Sequence, residues 1–226
     1  MQISEKILLA KQDLDEVYAA GYAKGVDEGG GTDGAWYYAV LLRGMFMNAV
    51  FSEEYQLVLK MRSVVTDMYG TFAYAKNLKS IKIATDDKET VASMSQTFRE
   101  CTDLEVVDLT EHARKISKAD YLFFGSHKVR SVLGALDMSG CTDNASLAYA
   151  FFAGSLQDVE FVPGTIKADI RFNSSYLTDA SIESIINGLA DLTGGAAQTI
   201  TLNGVGAKLT ESQRGRISAK NWTLAY

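Results

Sequence analysis

Six charged residues recur at matching places in the sequence and could bind a charged partner. Each lies between two apolar residues in a predicted strand, so its side chain is expected on the outer face of a sheet. They are Lys82, Asp108, Asp137, Glu160, Asp169 and Arg171, and Thr201 and Thr223 continue the series. The middle of the series is acidic, and like charges stacked about 5 Å apart repel each other. The series therefore predicts a cationic partner; drift on a solvated face is the alternative.

Patterns for catalysis are weak. Adjacent side chains such as Ser126 and His127 rarely face each other in a turn, and the carboxylate pairs at 53–54 and 86–87 lie in polar segments. The segment Gly204–Lys208 lacks the glycine placement and the Lys-Ser/Thr pair of a phosphate-binding loop. The two histidines, His112 and His127, have no recognisable metal-ligand spacing. The sequence predicts no enzyme, cofactor or metal site.

The two cysteines fit structural roles. Cys101 occupies the place that Ala75 has in the preceding repeat, where a small, buried and reduced thiol is expected. A disulfide between Cys101 and Cys141 is the alternative, although two cysteines do not make a disulfide framework.

Composition narrows the class of protein. A chain of 226 residues has the length of one large domain, or of one domain with an appendage. Its formal net charge of -6 argues against a nucleic-acid partner, which requires a basic face. The sequence contains no run of about 20 apolar residues, so it does not predict membrane insertion. The start of the chain, Met1–Lys6, lacks the apolar segment of a signal peptide.

Two segments share one pattern of apolar residues and predict a repeat protein. Residues 68–84 and 94–110 are both expected to form a short helical turn, a corner and a strand. Phe72 and Phe98, Leu78 and Leu104, and Ile83 and Leu109 are each separated by 26 residues, by subtraction of their numbers. Such a unit cannot bury its apolar face alone, so neighbouring units must stack on it.

Extending this pattern predicts eight strands in one continuous parallel sheet. The strands centre on residues 55–59, 81–83, 107–109, 135–138, 159–161, 166–172, 199–202 and 222–224. In the fourth unit Phe123 is the expected anchor and Leu133 the corner, so that Leu136 would lie beside Val107. A helix capped by Thr178 or Asp179 is expected to end at Gly194–Gly195, and a second helix start follows Thr210.

Residues 1–28 predict an N-terminal helix followed by a glycine hinge. Its apolar residues follow the four- and three-residue steps of a coiled-coil seam: Ile3, Ile7, Ala10, Leu14 and Val17. A helix of little more than two heptads is marginal alone in water, so it needs a partner. We expect self-association as a homotrimer; packing on the chain's own body is the alternative.

Residues 34–226 are expected to form the repeat domain, and the aromatic, methionine-rich segment 34–51 its helical cap. This segment is apolar nearly all round, which is typical of buried helices. A cap would cover the open core of the first repeat. An aromatic ligand pocket is the alternative.

The pattern F-x-x-C/A-x-x-L-x-x-[IV]-x-[IL] at Phe72–Ile83 and Phe98–Leu109 resembles BspA-like leucine-rich repeat proteins. The C-terminal segments LTDASIESIINGLADLTGGAAQTITL and ISAKNWTLA resemble the ending of such proteins in gut Firmicutes and their phages. The segment EVYAAGYAKGVDEGG is similar to glycine-rich leaders of phage tail proteins. The fold class that this resemblance implies is α/β, a leucine-rich-repeat solenoid with a parallel sheet.

The resemblance also implies binding or adhesion without catalysis. We expect a phage or prophage tail-tip protein that contacts a protein or glycan of a bacterial envelope, located on the virion tail or on a bacterial surface. A structural virion protein that binds other virion proteins and a bacterial cell-surface adhesin are the alternatives.

Overall fold

The computed structural model describes residues 38–39, 43–44, 46–61, 66–85, 92–112 and 115–226, and these residues form a mixed α/β structure with parallel sheets. The predicted N-terminal helix and glycine hinge, with Ile3, Ile7, Ala10, Leu14 and Val17, lie outside the described residues.

Twelve strands and two α-helices are found in the described part of the chain. The strands are β1 (Tyr38–Ala39), β2 (Val50–Met61), β3 (Lys76–Thr85), β4 (Ala92–Ser93), β5 (Val106–Glu111), β6 (Ile116–Lys118), β7 (Ser131–Leu136), β8 (Phe151–Gly154), β9 (Asp158–Phe161), β10 (Ile170–Ser174), β11 (Gln198–Asn203) and β12 (Trp222–Ala225). The helices are α1 (Asp179–Gly188) and α2 (Glu211–Ala219), and 3-10 turns lie at Asn144–Leu147 and Gly206–Lys208.

The large sheet has the order β1-β2-β3-β5-β7-β9, with all neighbours parallel. In its register Leu57 pairs with Ile81, Ile81 with Val107 and Val107 with Val132. These four side chains are all buried, because alternate residues of a strand point to the same face. The strands of this sheet lie side by side in the order in which they occur along the chain.

Opposite the large sheet, the segments before β3, β5 and β7 also stack on one another. We call each strand and the segment before it a layer, and the stacked segments the turn side. Phe72 N donates to Thr97 O (2.9 Å) and Phe98 N to Leu122 O (3.0 Å), so backbone hydrogen bonds join successive layers here too. The buried rings of Phe72, Phe98 and Phe123 lie 5.7 and 5.6 Å apart and nearly parallel. The core lies between this stack and the large sheet.

The turn side is built of turns, which corrects the predicted short helices. Thr97 N donates to Met94 O (3.1 Å) and Arg99 N to Gln96 O (3.1 Å), and φ is positive at Gln96. An α-helix does not contain such a left-handed residue, although Met94 and Phe98 are both buried as expected.

The predicted helical cap over 34–51 is also wrong where that range is described. It contains the short strand β1, turns at 46–48 and the start of β2. Phe46 N donates to Thr71 O (2.7 Å), so this segment continues the turn side by one more layer. The sequence prediction was wrong because an apolar, aromatic composition suits buried turns as well as a buried helix.

The fourth layer corrects the predicted register. Val132, not Leu136, pairs with Val107, and Leu133 is 41 % exposed beside Asp108 rather than forming the corner. The close approach at Gly134 (φ 93°) explains this, since a Cβ there would lie 2.7 Å from the carbonyl carbon of Leu109. Phe123 and Val132 keep the nine-residue separation of Phe98 and Val107, so no extra residues lie before the strand. Glycine lets β7 bulge against β9 instead, where the register shifts by two residues between Ser131 and Ala135.

The last three predicted strands do not extend the large sheet. They belong to a second sheet of order β12-β11-β10-β8, whose strand β8 continues the turn side. Beyond β9 the large sheet is covered by α1, where Val159 N and Phe161 N donate to Ser181 Oγ (3.0 Å) and Ser184 Oγ (2.9 Å). The prediction of a single continuous sheet of eight strands is therefore wrong. Two serine hydroxyls accept hydrogen bonds from the edge strand β9, where another strand was expected to pair.

Both helix starts agree with the sequence. Thr178 caps α1, and Thr210 forms a capping box with Gln213. The first helix ends at Gly188 rather than at Gly194–Gly195, since Leu189 is already extended. Lys220 Nζ donates to the carbonyls of Ile186, Asn187 and Leu189 at this end of the helix. Neither helix in the described residues is long and apolar enough to span a membrane.

Candidate functional site

The predicted ladder of charged residues is not formed. Lys82 and Asp108 are neighbours on the large sheet, but Leu133 is the next residue across from Asp108. Asp137 lies at a corner, where its carboxylate accepts a hydrogen bond from Ser139 N (2.9 Å). Glu160 is exposed in β9 and pairs with Ala135, so the three acids are not stacked. The bulge at Gly134 is the physical reason.

Lys82 and Asp108 form an ion-pair cluster with a third residue. Lys82 Nζ lies 2.6 Å from Glu111 Oε1 and 4.0 Å from Asp108 Oδ2. The hydrogen bond to Glu111 raises the pKa of Lys82. Burial opposes ionisation of Asp108, yet hydrogen bonds from Thr110 and the nearby ammonium keep the pKa of Asp108 below its ordinary value. On the outer face of the large sheet, the charge of Lys82 is therefore paired with carboxylates of the protein itself.

The other predicted residues lie on or next to the second sheet. Asp169 precedes β10, and its carboxylate accepts from Thr199 N and from Asn144 Nδ2 (2.7 Å), which fixes the corner of that layer. Arg171 is exposed in β10 and pairs with Thr201, while Thr223 pairs with Thr199.

A continuous row of aromatic rings and arginines runs along the turn side and past Arg171. We call it the stripe. It consists of Tyr74, Arg99, Tyr121, Phe124, Tyr149, Phe152 and Arg171. Tyr74 is 38 % exposed and Tyr149 45 % exposed, and the other rings are half-buried.

The contacts within the stripe cross from layer to layer. The Arg99 guanidinium lies 5.6 Å from the Tyr74 ring centroid and 5.5 Å from that of Tyr121. Tyr121 and Tyr149 are 5.2 Å apart at an interplanar angle of 25°. Each such cation–π or aromatic pair adds modest stability and fixes the rings against one another.

The far end of the stripe is ordered in the same way. Phe124 and Phe152 lie 6.2 Å apart at 20°, and Tyr149 packs edge-on against Phe152 at 5.1 Å. The Arg171 guanidinium lies 4.9 Å from the Phe152 centroid. The stripe is thus a preorganised surface rather than a set of independent side chains.

Three of the tyrosines stand on strained backbone. Tyr74, Tyr121 and Tyr149 have φ of 62°, 54° and 55°, in the left-handed region that bulky residues avoid. Each lies two residues before or after the buried phenylalanine of its layer. At the corresponding places other layers have Gly44, Gly70, Asn48, Gln96, Glu100 and Gly125, also at positive φ. The backbone conformation is common to the layers, but the tyrosine side chains are not required by it.

Two cavities lie outside the stripe, and the charged residues that line one of them form ion pairs. One of about 290 Å³ is lined by Glu105, His127, Lys128, Arg130 and Ser155, where Arg130 pairs with Glu105 and Lys128 with Asp103 (2.8 Å). A cavity of about 440 Å³ lies between the starts of α1 and α2. Among the described residues no group of three or more His, Cys, Asp or Glu could hold a metal ion.

The cysteines are free thiols, so the alternative of a Cys101–Cys141 disulfide is excluded. Cys101 Sγ donates to Phe72 O (2.9 Å) and Cys141 Sγ to Ile116 O (3.3 Å), which ties adjacent layers together. Burial raises the pKa of both thiols to about 12, so they are poor nucleophiles.

The stripe was missed from sequence, apart from Arg171. A signal was present: Tyr121–Phe124 reads YLFF and Tyr149–Phe152 reads YAFF, at the same place in two layers. The sequence prediction uses only Phe123, and Phe151 or Phe152, as anchors that set the register, and it assigns no face to the flanking rings.

No protein-family model, curated protein or solved structure matches this chain. The geometry of the stripe is therefore the basis for assigning a function.

Proposed function

We propose that this chain is a non-enzymatic binding module that contacts its partner through the stripe. One observation carries the proposal: exposed tyrosines occupy left-handed backbone positions where other layers have glycine or a polar residue, Asn48, Gln96 or Glu100. A left-handed L-residue costs about 1–2 kcal/mol. Strain of this kind at a solvent-facing side chain is typical of functional surfaces.

The composition of the stripe supports a contact surface. Tyrosine and arginine are the residues most enriched at the energetic centres of interfaces, because they bring large area and hydrogen-bonding groups at a low entropic cost. Here the rings hold one another and the two arginines in place. A preorganised surface loses little side-chain freedom on binding.

We further propose that the layers are leucine-rich repeats of the BspA-like type, stacked as a solenoid that ends in a C-terminal cap. The 26-residue separation of Phe72 and Phe98 and their stacked rings support this proposal. So do the backbone bonds that join layers on both sides of the core. The polar helix α2, which buries Ile217 and exposes most of its other residues, has the character of a terminal cap.

The biological setting rests on the resemblance of the sequence. We propose a phage or prophage tail-tip protein that binds a bacterial surface, with Ile3, Ile7, Ala10, Leu14 and Val17 forming a trimeric helix. A repeat surface held at the end of a trimer would gain avidity from three linked contacts. The trimer remains a prediction, which light scattering of the full chain at tens of micromolar tests.

The test is binding of the full chain to isolated bacterial envelope fractions. The Tyr121→Gly/Tyr149→Gly variant removes two rings while keeping a residue that suits the left-handed backbone. The matched control, Leu133→Ser, changes an exposed apolar residue on the large sheet. We expect the tyrosine variant to bind at least about tenfold more weakly, since loss of one central residue commonly costs that much. The control should bind as the wild type does.

Equal binding by the wild type and the tyrosine variant would exclude the stripe as the contact surface. Loss of binding in the Leu133→Ser control alone would move the site to the large sheet.

A further inference from the structure

Neither arginine of the stripe forms an ion pair with the described residues. Ion pairs in the described residues include Arg43–Asp67, Arg130–Glu105 and Arg216–Glu183, and none of them involves Arg99 or Arg171. The stripe thus carries two arginines that have no ion-pair partner, on a chain whose net charge is -6.

The polar contacts of these arginines are to neutral groups. Arg99 Nη1 donates to Gln96 Oε1 (3.1 Å), and its buried Nε has no hydrogen-bond partner in the described structure. Arg171 Nη2 and Nε donate to the Asn203 side-chain oxygen at 3.0 and 3.1 Å, in the amide orientation that satisfies both residues. Each guanidinium therefore keeps its charge and some of its donors for a ligand. Guanidinium groups pair best with carboxylates and phosphates.

The stripe is long and narrow. Arg99 and Arg171 are three layers apart, which is about 14–15 Å at the spacing of adjacent strands. Tyr74 adds a further layer, so the stripe spans about 19 Å. Neither the cavity lined by Glu105 and Ser155 nor the cavity between the starts of α1 and α2 is lined by a residue of the stripe. An extended linear chain fits this shape better than a compact small molecule.

The backbone of the turn side is already used. Gln96 N donates to Asp120 O, Tyr121 N to Ala148 O and Phe123 N to Ala150 O, all at 2.8–2.9 Å. A peptide could not add here as an extra strand, because strand addition requires unpaired backbone groups. Recognition must come from rings, guanidinium groups and tyrosine hydroxyls. Sugar rings suit such a surface, since they combine apolar C–H faces with hydroxyls.

We propose that the stripe binds a linear acidic polysaccharide, a chain of sugars that carries carboxylates. Arg99 and Arg171 pair with carboxylates about three layers apart, and the intervening rings contact the sugars between them. This inference rests on the proposed binding function and specifies the chemistry of the ligand at the same surface.

The experiment measures binding of the full chain to immobilised polygalacturonate, alginate and hyaluronate. Neutral dextran and poly-L-glutamate serve as the uncharged sugar and the sugar-free polyanion. We expect binding to at least one acidic polysaccharide, weaker binding to both comparison polymers, and loss of affinity as salt is raised.

Two matched double variants assign the charge. Arg99→Gln/Arg171→Gln should lower affinity by about tenfold or more, because two charge-assisted contacts are lost. Arg130→Gln/Arg216→Gln removes the same charge from ion-paired arginines elsewhere and should leave affinity within about twofold. Circular dichroism of both variants verifies that they are folded.

Three results would overturn the proposal. Poly-L-glutamate bound as tightly as the acidic sugars would indicate an acidic polypeptide partner. Dextran bound as tightly would remove the role of charge. Absence of binding to all three acidic polysaccharides would exclude this ligand class; if envelope binding still depended on Tyr121 and Tyr149, the proposed function would stand without it.

Discussion

Tyr149 is where the demands of the backbone and of the stripe can be separated by mutation. Its φ is 55° and its ring is 45 % exposed. The ring lies 5.2 Å from that of Tyr121 and 5.1 Å from that of Phe152. Replacement by alanine removes these contacts but keeps the left-handed strain. Replacement by glycine removes both the contacts and the strain.

The magnitudes follow from these contacts. With Phe124 included, three half-exposed ring pairs are lost at about 0.5 kcal/mol each, so Tyr149→Ala should lower the free energy of unfolding by about 1.5 kcal/mol. Glycine recovers about 1–2 kcal/mol of strain but loses about 0.5–1 kcal/mol to the freedom of the unfolded chain. Tyr149→Gly should therefore be more stable than Tyr149→Ala, by up to about 1.5 kcal/mol.

Urea unfolding followed by circular dichroism measures this difference. Tyr176 is the matched control: it is 62 % exposed and is not among the residues with positive φ. There the order should reverse, with alanine more stable than glycine. If alanine were also the more stable residue at position 149, the left-handed backbone and the reasoning built on it would be refuted.

Three further changes test the packing and the charges. Phe98→Ala should cost about 4–6 kcal/mol in urea unfolding, because a fully buried ring with two stacked neighbours is lost; a cost below about 1 kcal/mol would contradict the stack. Gly134→Ala should lower the melting temperature, since a Cβ there would lie 2.7 Å from backbone, whereas Gly215→Ala in α2 meets nothing within 4 Å and should raise it; equal effects would contradict the bulge. Hydrogen bonds from Gln213 and Arg216 lower the pKa of Glu183, so its stabilising effect is present above its ordinary value of 4.5 and lost as pH falls below it. The melting temperatures of wild type and Glu183→Gln should therefore converge on acidification, and a constant difference would contradict this coupling.

The parallel pairing of the middle strands could be predicted because it depends on local spacing. Phe72 and Phe98 keep one separation, and their corner and strand residues keep it too, so parallel pairing with both strands buried inward followed directly. The helix starts at Thr178 and Thr210 could also be predicted, since their capping residues are local signals.

The fourth layer and the second sheet could not be predicted in this way. Two alignments of residues 119–138 place apolar residues at the inward positions: the predicted one uses Leu133 and Leu136, and the observed one uses Val129 and Val132. The choice between them depends on the close approach of Gly134 to Leu109, which is a tertiary contact. Similarly, the strand at 170–174 alternates correctly for either side of the core. Its side is decided by α1, whose Ser181 and Ser184 occupy the edge of the large sheet.

Most residues of the candidate site could also not be predicted from the sequence. Alternation along a strand assigns an outer face for Lys82 and Asp108, but residues in left-handed turns follow no such period. The positions of Tyr121 and Tyr149 therefore do not predict which face their side chains occupy. Their repeated motif indicates only that both lie at the same place in two layers. The face of Arg171 was assigned correctly, but to the wrong sheet.

Tyrosine nitration provides the most direct measurement of whether the stripe is the contact surface. Tetranitromethane modification of the full chain, with and without a bacterial envelope fraction, is read at each tyrosine by peptide mass spectrometry. The account predicts that Tyr74 and Tyr149 become protected by the bound envelope material. Tyr176 and Tyr226, which are 62 % and 63 % exposed and lie off the stripe, should react as before. Protection of Tyr176 or Tyr226 while Tyr149 remains fully reactive would contradict it.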